Sequence, residues 1–336
     1  MTQEHFLLAG DIGATKIDLA VISTRDGARQ PRHEATYQVD QYPGPAALFR
    51  EYLAAVEEPV SAACFGVAGP VIEDRVQMVN HEWLVDAAAL AAEFGWRKVW
   101  LLNDLKAAAH AVPGLPDDEL AVLNAGQPEA GGNIAVIAPG TGLGQGYLTW
   151  HGAGYVAHAT EGGHSDFAPN GALQRDLLAY QAAGGKQVCV EDVCSGIGMP
   201  NIYRFLRDSG LAQEPDWLAE QLAAADDPTP LIFESALAVE NPAEISKKAL
   251  EIFVNILGSE AGNLALKTGA TGGLYVGGGI PPRILAILKE GDFLKAFLSK
   301  EKYTDYMGRI PVKVILNPDS ALLGAAEYAI EQLERL

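Results

Sequence analysis

The stretch from Phe6 to Ile22, Phe-Leu-Leu-Ala-Gly-Asp-Ile-Gly-Ala-Thr-Lys-Ile-Asp-Leu-Ala-Val-Ile, decides the fold. Two apolar runs flank a short turn of glycine and polar residues, a pattern typical of a buried β-hairpin with an open tip. Small residues let backbone N–H groups approach an anion, Thr15 adds a hydroxyl donor, and Asp11 adds a carboxylate that can hold a hydrated cation. The tip therefore predicts a phosphate contact, although Asp and Gly are also ordinary turn formers.

The same pattern occurs a second time in residues 134–150, where an apolar strand, a Gly/Thr turn with Gly140 and Thr141, and a second strand follow one another. Two similar tips predict two related halves that clasp one phosphate chain. The sequence has no G-x-x-x-x-G-K-[ST] motif, and the glycines from 140 to 146 alternate with period two instead of opening a helix. This argues against both a P-loop NTPase and a Rossmann dehydrogenase.

The composition is that of a soluble globular chain. With 336 residues, 49% of them hydrophobic, we expect about two domains. No apolar run reaches the ~18 residues that a membrane span needs, and the start, Met-Thr-Gln-Glu-His, lacks the basic segment of a signal peptide. The net charge of −19 disfavours binding to nucleic acid or to anionic membranes. Cys64, Cys189 and Cys194 form neither a disulfide framework nor a zinc pattern, which predicts a cytoplasmic protein.

Strands followed by helices occur twice along the chain, which indicates an α/β protein of two similar halves. In the first half, Asp86 can cap a helix that ends before Gly95, and the strand from Lys98 to Leu102 leads through Asn103-Asp104 into a helix over 105–112. The following Pro113-Gly114-Leu115-Pro116 is typical of a hinge or a domain crossover.

In the second half, the polar, Gly-rich residues 160–170 predict a functional loop. A long helix is predicted to open with Asn241 as its cap and Pro242 at its first position and to run to Lys267. Residues 272–280 predict a strand that ends in three glycines, Pro281-Pro282 predict the start of a helix, and residues 318–336 a closing helix.

With these pieces placed, the chain resembles the bacterial glucokinase family within the actin-like ATPase superfamily of sugar kinases. The resemblance covers nearly the whole length and is carried by six fragments: Gly-Asp-Ile-Gly-Ala-Thr (10–15), Leu-Asn-Asp-Leu (102–105), Gly-Thr-Gly-Leu-Gly (140–144), Glu-Gly-Gly-His-Ser-Asp-Phe-Ala-Pro (161–169), Ser-Gly-Ile-Gly (195–198) and Gly-Gly-Leu-Tyr-Val-Gly-Gly-Gly-Ile (272–280). The related ROK family carries a Cys/His zinc site, which Cys189-x₄-Cys194 does not match in spacing.

The resemblance implies a reaction, the transfer of the γ-phosphoryl group of ATP to the C6 hydroxyl of glucose. Asp104 matches the general base of the family. Asn103, Glu161, His164 and, as a weaker match, Glu191 correspond to sugar-binding positions, and carboxylates and imidazole suit the hydroxyls of a sugar. Taken without the other motifs, Asn103-Asp104 would simply be a helix cap.

The resemblance also implies a site for ATP and Mg²⁺. The two tips would bracket the phosphates, and Asp11 would hold Mg²⁺, through water. Ala14 stands where the family usually has a second glycine, and Lys16 where it often has asparagine, which leaves the phosphate geometry and the sugar preference open. The nucleotide-binding set is Gly10, Asp11, Ile12, Gly13, Ala14, Thr15, Gly140, Thr141 and, on the adenosine side, Gly277, Gly278 and Gly279.

We therefore expect a two-lobed α/β protein with the actin-like ATPase (ribonuclease H-like) fold. The predicted domains are a small one, residues 1–112 with 318–336, and a large one, residues 113–317, with a cleft between them. The expected protein is a cytoplasmic, homodimeric glucokinase that feeds glycolysis. The alternatives are a kinase for fructose, mannose or an amino sugar, a non-catalytic sugar sensor on the same fold, and an actin-like ATPase or chaperone that binds no sugar.

Overall fold

A computed structural model of the chain describes residues 4–13, 15–78 and 81–335. The chain forms two compact units. The first contains the residues up to Pro116, a short segment Ala153–Ala159, and the residues from Asp319 onward, and the second contains Asp117–Gly152 and Thr160–Pro318.

The first unit contains a five-stranded mixed sheet with the order β3-β2-β1-β4-β7 and a small two-stranded sheet of β5 and β6. Strand β1 runs antiparallel to β2 and parallel to β4, which in turn runs parallel to β7. Its elements are β1 (Phe6–Ile12), β2 (Lys16–Ser23), β3 (Arg32–Gln38), α1 (Pro45–Leu53), β4 (Val60–Val67), β5 (Arg75–Gln77), β6 (Leu84–Asp86), α2 (Ala87–Phe94), β7 (Val99–Asn103) and α3 (Asp104–Ala111).

The second unit is built on β8, β9, β10, β12 and β13 of a six-stranded sheet with the order β11-β10-β9-β12-β13-β8, in which most of β11 belongs to the segment Ala153–Ala159 of the first unit. The chain then returns to the first unit with its last helix, α12 (Ser320–Leu333). The other elements are β8 (Leu120–Asn124), β9 (Ile134–Pro139), β10 (Leu143–Trp150), β11 (Tyr155–Thr160), α4 (Gly171–Gln181), α5 (Gly198–Asp208), α6 (Asp216–Ala224), α7 (Thr229–Leu237), α8 (Glu244–Thr268), β12 (Gly273–Val276), α9 (Leu285–Lys289), α10 (Asp292–Leu298), α11 (Thr304–Arg309) and β13 (Val312–Ile315).

Both predicted hairpins are confirmed, β1 with β2 and β9 with β10. In β1 the side chains alternate between two cores: Leu8 and Ile12 pack with Phe49 of α1, whereas Leu7 and Ala9 pack with residues of α12. A strand that is covered on both faces must be apolar on both faces, which explains the unbroken apolar run at the start of the chain.

Two predicted helix starts in the first unit are confirmed. The carboxylate of Asp86 accepts a hydrogen bond from the Ala89 N–H at 3.0 Å, and α2 ends at Gly95 in the left-handed conformation. At the start of α3, the Asn103 side chain accepts a hydrogen bond from the Lys106 N–H at 3.1 Å. These side chains satisfy backbone donors that have no partner within the helix.

Two element starts in the second unit were predicted wrongly. Helix α8 begins at Glu244, three residues after the predicted cap Asn241, which has a φ of 51°. The reason is a tertiary contact, because the Ala243 N–H donates to the Ser235 carbonyl of α7 at 2.9 Å. Residues 281–284 form a turn, so α9 begins at Leu285 and not at the two prolines.

Compared with the predicted small domain, the first unit also contains residues 113–116 and 153–159, and it lacks Pro318, which lies in the second unit. Residue 114 is held there by a hydrogen bond, since Arg29 Nη2 donates to the Gly114 carbonyl at 2.8 Å. The assignment of functional domains remains a prediction.

Helix α12 packs closely against α3 at Gly324. A Cβ atom added there would overlap the carbonyl oxygen of Ala107 and lie 3.2 Å from the backbone nitrogen of Ala111. Because α3 begins at Asp104, the fit of the last helix of the chain fixes the helix that starts with this aspartate.

We predict that Gly324→Ala destabilises the protein by about 1–3 kcal/mol, because the methyl group pushes α12 away from α3. Alanine would otherwise favour the helix by ~1 kcal/mol. The matched control is Gly308→Ala in α11, where an added Cβ has no atom within 4 Å, and which should be neutral or stabilising. Urea unfolding measures both, and equal stability of Gly324→Ala and the parent would contradict the prediction.

Candidate active site

Three neighbouring parallel strands of the first unit, β1, β4 and β7, bring Asp11, Gly66 and Asp104 together. Asp11 is in register with Gly66, and Gly66 is in register with Leu102, two residues before Asp104. All three lie toward the carboxyl ends of their strands, which is where open α/β sheets usually bind ligands.

Gly66 keeps the space between the two carboxylates open. A Cβ atom at this position would lie 3.1 Å from Ala107 Cβ, 3.5 Å from Asp104 Cα and 3.9 Å from Asp11 Oδ1. The sequence analysis missed Gly66, although a glycine one residue before the end of an apolar central strand is a usable signal.

The environment of Asp11 disfavours its charge. Burial, and after it the carboxylate of Asp104, raise the pKa of Asp11 to about 7. Asp18 adds to the rise and Lys16 opposes it. Lys16 is itself paired, with its Nζ 2.8 Å from Asp18 Oδ2. A cation close to Asp11 would stabilise the charged form of its carboxylate.

Asn103 and Asp104 have fixed orientations at the start of α3. Asn103 Nδ2 donates to the Gly69 carbonyl at 3.3 Å, while its Oδ1 caps the helix. Asp104 Oδ1 accepts a hydrogen bond from the Leu105 N–H at 2.8 Å. These hydrogen bonds orient both side chains at the start of α3 and are compatible with further contacts to a ligand.

The described residues of the first hairpin that were predicted to bind phosphate differ in their contacts and exposure. Gly13 N–H donates to the Lys16 carbonyl at 3.0 Å and closes the turn, and Thr15 is exposed. Ala14 lies outside the described residues. Ile12 is fully buried, so its side chain faces the core, not the tip.

Gly10 is a glycine for packing reasons. A Cβ atom at this position would lie 2.7 Å from Leu19 Cδ2 and 2.9 Å from Phe65 Cδ1. The close approach of neighbouring strands explains why the residue is a glycine, and its predicted phosphate contact stays a prediction.

In the second unit, the turn of the second hairpin is held by the segment before α5. Gly196 N–H donates to the Gly140 carbonyl at 2.8 Å, and Ile197 N–H donates to the Thr141 carbonyl at 3.1 Å. Glu191 Oε2 accepts a hydrogen bond from the Leu143 N–H at 2.7 Å. One carboxylate oxygen of Glu191 therefore fixes the hairpin turn.

The glycines 277–279 lie beside this turn. Gly277 N–H donates to the Ile137 carbonyl of β9 at 2.8 Å. Gly278 has a φ of +85°, and a Cβ atom there would lie 2.5 Å from the Pro139 oxygen, whereas an added Cβ at Gly279 has no atom within 4 Å. The structure thus brings together Gly140, Thr141 and the three glycines at the carboxyl ends of β9 and β12.

Of the predicted sugar residues, Glu161 precedes a single 3₁₀ turn, Gly162–His164, and His164 ends it; both are exposed. The His164 N–H donates to the Glu161 carbonyl at 3.0 Å and closes the turn. His164 Nδ1 also lies 4.0 Å from Cys189 Sγ, a neighbour that the sequence analysis did not identify.

Two features are absent from the part of the chain that the structure describes, a metal-binding cluster and a membrane-spanning helix. No group of three or more His, Cys, Asp or Glu side chains within that part of the chain could hold a metal ion by itself. No helix within residues 4–13, 15–78 and 81–335 is long and apolar enough to cross a membrane.

The chain matches known proteins over nearly its whole length. The model of the family described as Glucokinase matches residues 8–332. A glucokinase of Nostoc punctiforme (strain ATCC 29133 / PCC 73102) is 36% identical over 334 residues, which cover 95% of this chain and 97% of that protein.

Two solved structures extend the comparison. The crystal structure of a glucokinase from an Antarctic psychrotroph is 30% identical and superposes with a TM-score of 0.80, covering 98% of this chain and 100% of that one. A ROK family glucokinase from Streptomyces griseus, in complex with glucose and AMPPNP, is 20% identical with a TM-score of 0.65, covers 96% and 98% of the two chains, and shows the fold alone.

These similarities confirm the predicted two-domain α/β fold of sugar kinases. The family model spans nearly the whole chain, and the relatives match over nearly their full length. The chain therefore belongs to the glucokinase family and catalyses the ATP-dependent phosphorylation of glucose.

Proposed function

We propose that the chain transfers the γ-phosphoryl group of ATP to the C6 hydroxyl of glucose, with Asp104 as the general base. The observation that carries the proposal is the position of Asp104, which follows the last residue of β7 and lies beside Asp11 across Gly66. A hydroxyl becomes a better nucleophile when a carboxylate accepts its proton during phosphoryl transfer.

The local hydrogen bonds suit this role. The Leu105 N–H bond to Asp104 Oδ1 fixes the orientation of the carboxylate. A helix start also favours a nearby negative charge, and an ionised carboxylate is the form that accepts a proton. Asp104 thus would act as a base, while Asp11, with its raised pKa, would serve a different purpose.

We propose that glucose is bound by Asn103, Glu161, His164 and Glu191. The Asn103 and Glu191 side chains are oriented by hydrogen bonds to backbone groups, and Glu161 and His164 lie on one short loop. A site built from such fixed groups discriminates between sugars because a missing partner leaves a polar group unsatisfied. For Glu191, one oxygen already bonds to Leu143 N–H, so we assign sugar contact to the other.

We propose that ATP phosphates contact the tips of both hairpins through backbone N–H groups and Thr15 and Thr141. The glycines 277–279 would lie on the adenosine side. Their support is the open space at Gly140 and Gly279, where an added Cβ atom has no neighbour within 4 Å. A ligand can reach the backbone closely at such positions.

We propose that Asp11 holds Mg²⁺ together with the nucleotide. Mg²⁺ commonly binds one or two carboxylates plus phosphate oxygens and keeps several waters, so a full cage of protein ligands is not required. The raised pKa of Asp11 fits this role, because a cation relieves the repulsion from Asp104 and Asp18. When bound, Mg²⁺ neutralises charge on the phosphates.

We further propose that the chain is a non-ROK member of the actin-like ATPase superfamily, acting in the cytoplasm, as a homodimer, in glycolysis. The higher TM-score with the psychrotroph glucokinase, 0.80 against 0.65 for the ROK protein, supports the first point. Three free cysteines are compatible with a reducing compartment. Light scattering on the purified protein tests the homodimer.

Asp104→Asn tests the assignment of the base. We expect kcat with glucose to fall by a factor of roughly 10² to 10⁴, because asparagine cannot accept the proton. The KM for glucose should change much less. The matched control is Asp86→Asn, a second aspartate at a strand-to-helix junction of the same unit, where asparagine caps equally well. Steady-state ADP release measures both, and a kcat of Asp104→Asn equal to that of the control would refute the assignment.

Asp11→Asn tests the raised pKa of Asp11 through the pH dependence of the free energy of unfolding. The folded state raises the pKa of Asp11 from 3.8 to about 7, so the folded state binds this proton more tightly and loses stability as the pH rises between these values. Asparagine removes this loss. In the absence of Mg²⁺ and nucleotide, the variant should become increasingly more stable than the parent from about pH 4 to pH 7 and keep that advantage above it. Urea unfolding across pH measures it, and a difference that is constant with pH would contradict the prediction.

A further inference from the structure

Four polar side chains form a hydrogen-bonded chain inside the second unit, which we call the Glu260 chain. Lys300 Nζ donates to Asn263 Oδ1 at 2.7 Å, and Asn263 Nδ2 donates to Glu260 Oε2 at 3.0 Å. Glu260 Oε1 accepts a hydrogen bond from Gln145 Nε2 at 3.0 Å. Glu260 and Gln145 are only 5% and 3% exposed, so this carboxylate depends on these partners in place of water.

The chemistry of these groups fixes the direction of the chain. An ammonium group only donates and a carboxylate only accepts, so the amides of Asn263 and Gln145 must both turn their nitrogens toward Glu260. Burial lowers the pKa of Lys300, and the charge of Glu260 opposes that shift. Because its nitrogen is bound to Glu260, the amide of Gln145 must present its oxygen, Oε1, to its other side.

On that other side lies the loop that carries Glu161 and His164. A Cβ atom at Gly162 would overlap Gln145 Oε1, and it would lie 3.2 Å from Gln145 Cβ. The backbone of Gln145 also holds the start of the loop, because Thr160 Oγ1 donates to the Gln145 carbonyl at 3.0 Å and accepts from the Gly162 N–H at 3.2 Å. The turn therefore rests against Gln145 at both its backbone and its side chain.

The far end of the same loop also faces Glu260. A cavity of about 10 Å³ is lined by Glu260 and Asn263 of α8 on one side and by Phe167 and Ala168 on the other. Two bonds around the turn, His164 N–H to the Glu161 carbonyl and Ser165 Oγ to the Gly162 carbonyl, join loop residues to each other. The end of the loop is held by residues 188–190, because Val190 N–H donates to the Ser165 carbonyl and Phe167 N–H donates to the Val188 carbonyl, both at 3.0 Å. Gln145 supports the start of the turn at Gly162.

We propose that Gln145, oriented by the buried carboxylate of Glu260, is a positioning residue that sets where Glu161 and His164 meet the sugar. The inference rests on the proposed function, in which these two side chains bind glucose. It extends that site to α8, a helix that contacts no substrate in the proposal.

Glu260→Gln is the first test. With an amide at 260, only one of the two donors from Asn263 and Gln145 finds an oxygen there, so the Gln145 amide turns over and presents its NH₂ group to Gly162. We expect the KM for glucose to rise about tenfold, the size of one mispaired buried polar group, while kcat and the KM for ATP change little.

The exchange of the two side chains, Gln145→Glu with Glu260→Gln, is the rescue. In this double variant Asn263 donates to the oxygen of residue 260, whose NH₂ group donates to the new carboxylate at 145, and an oxygen again faces Gly162. The single variant Gln145→Glu brings two carboxylates together and should raise the KM for glucose more than either other variant. Recovery in the double variant, measured as a double-mutant cycle, identifies direct coupling.

Ser246→Ala is the control for a merely structural effect. It removes a buried hydrogen bond of α8, from Ser235 Oγ to Ser246 Oγ at 2.8 Å, which has no link to the loop. This variant should lower stability in urea and leave the KM for glucose unchanged. If it raises the KM as much as Glu260→Gln does, the positioning role is refuted.

His164→Ala separates this inference from the proposed function. If its KM for glucose equals that of the parent, the proposed sugar loop is wrong and the positioning role falls with it. If His164→Ala raises the KM while Glu260→Gln does not, or if the double variant shows no recovery, the positioning inference alone is refuted.

Discussion

The electrostatic repulsion between Asp11 and Asp104, which lie on either side of Gly66, is the constraint on which the first unit depends. Burial of Asp11 and the nearby charges of Asp104 and Asp18 disfavour the charged form of Asp11, and its pKa is raised to about 7 as a result. The strands β1, β4 and β7 hold the pair together because each strand end is fixed by a buried sheet, and α12 holds α3 from behind at Gly324. A site of this kind is less stable empty than it is with a cation and phosphates bound.

In the second unit, mainly backbone groups are available for contact with a ligand. The turn after β9 and the glycines after β12 leave main-chain atoms open to a ligand, while Glu191 ties the turn to the segment before α5. In the proposed site, Glu161 and His164 recognise sugar hydroxyls from the loop that we infer Gln145 and Glu260 support. Rigid positioning of such groups is what converts contacts into selectivity.

The sequence predicted the features that depend on local pattern. Both hairpins, the helix caps at Asp86 and Asn103, and the fold of the family follow from periodicity, capping chemistry and ordered motifs. Features set by distant contacts were missed, and one helix start that depends on such a contact was predicted wrongly. Gly10 is small because Phe65 and Leu19 approach it, and α8 starts late because Ala243 bonds to α7. Neither Gln145 nor Glu260 has a neighbour in sequence that reveals their pairing.

The central property of this protein is that glucose is the sugar it phosphorylates. Sugar-dependent ADP release with Mg-ATP, compared across glucose, fructose, mannose and N-acetylglucosamine on the unaltered protein, tests it most directly. We expect strong turnover with glucose and much weaker turnover with the others, because each of the other sugars presents a different arrangement of polar groups to the fixed side chains of the site. Equal or greater turnover with another sugar, or none with any, would contradict it.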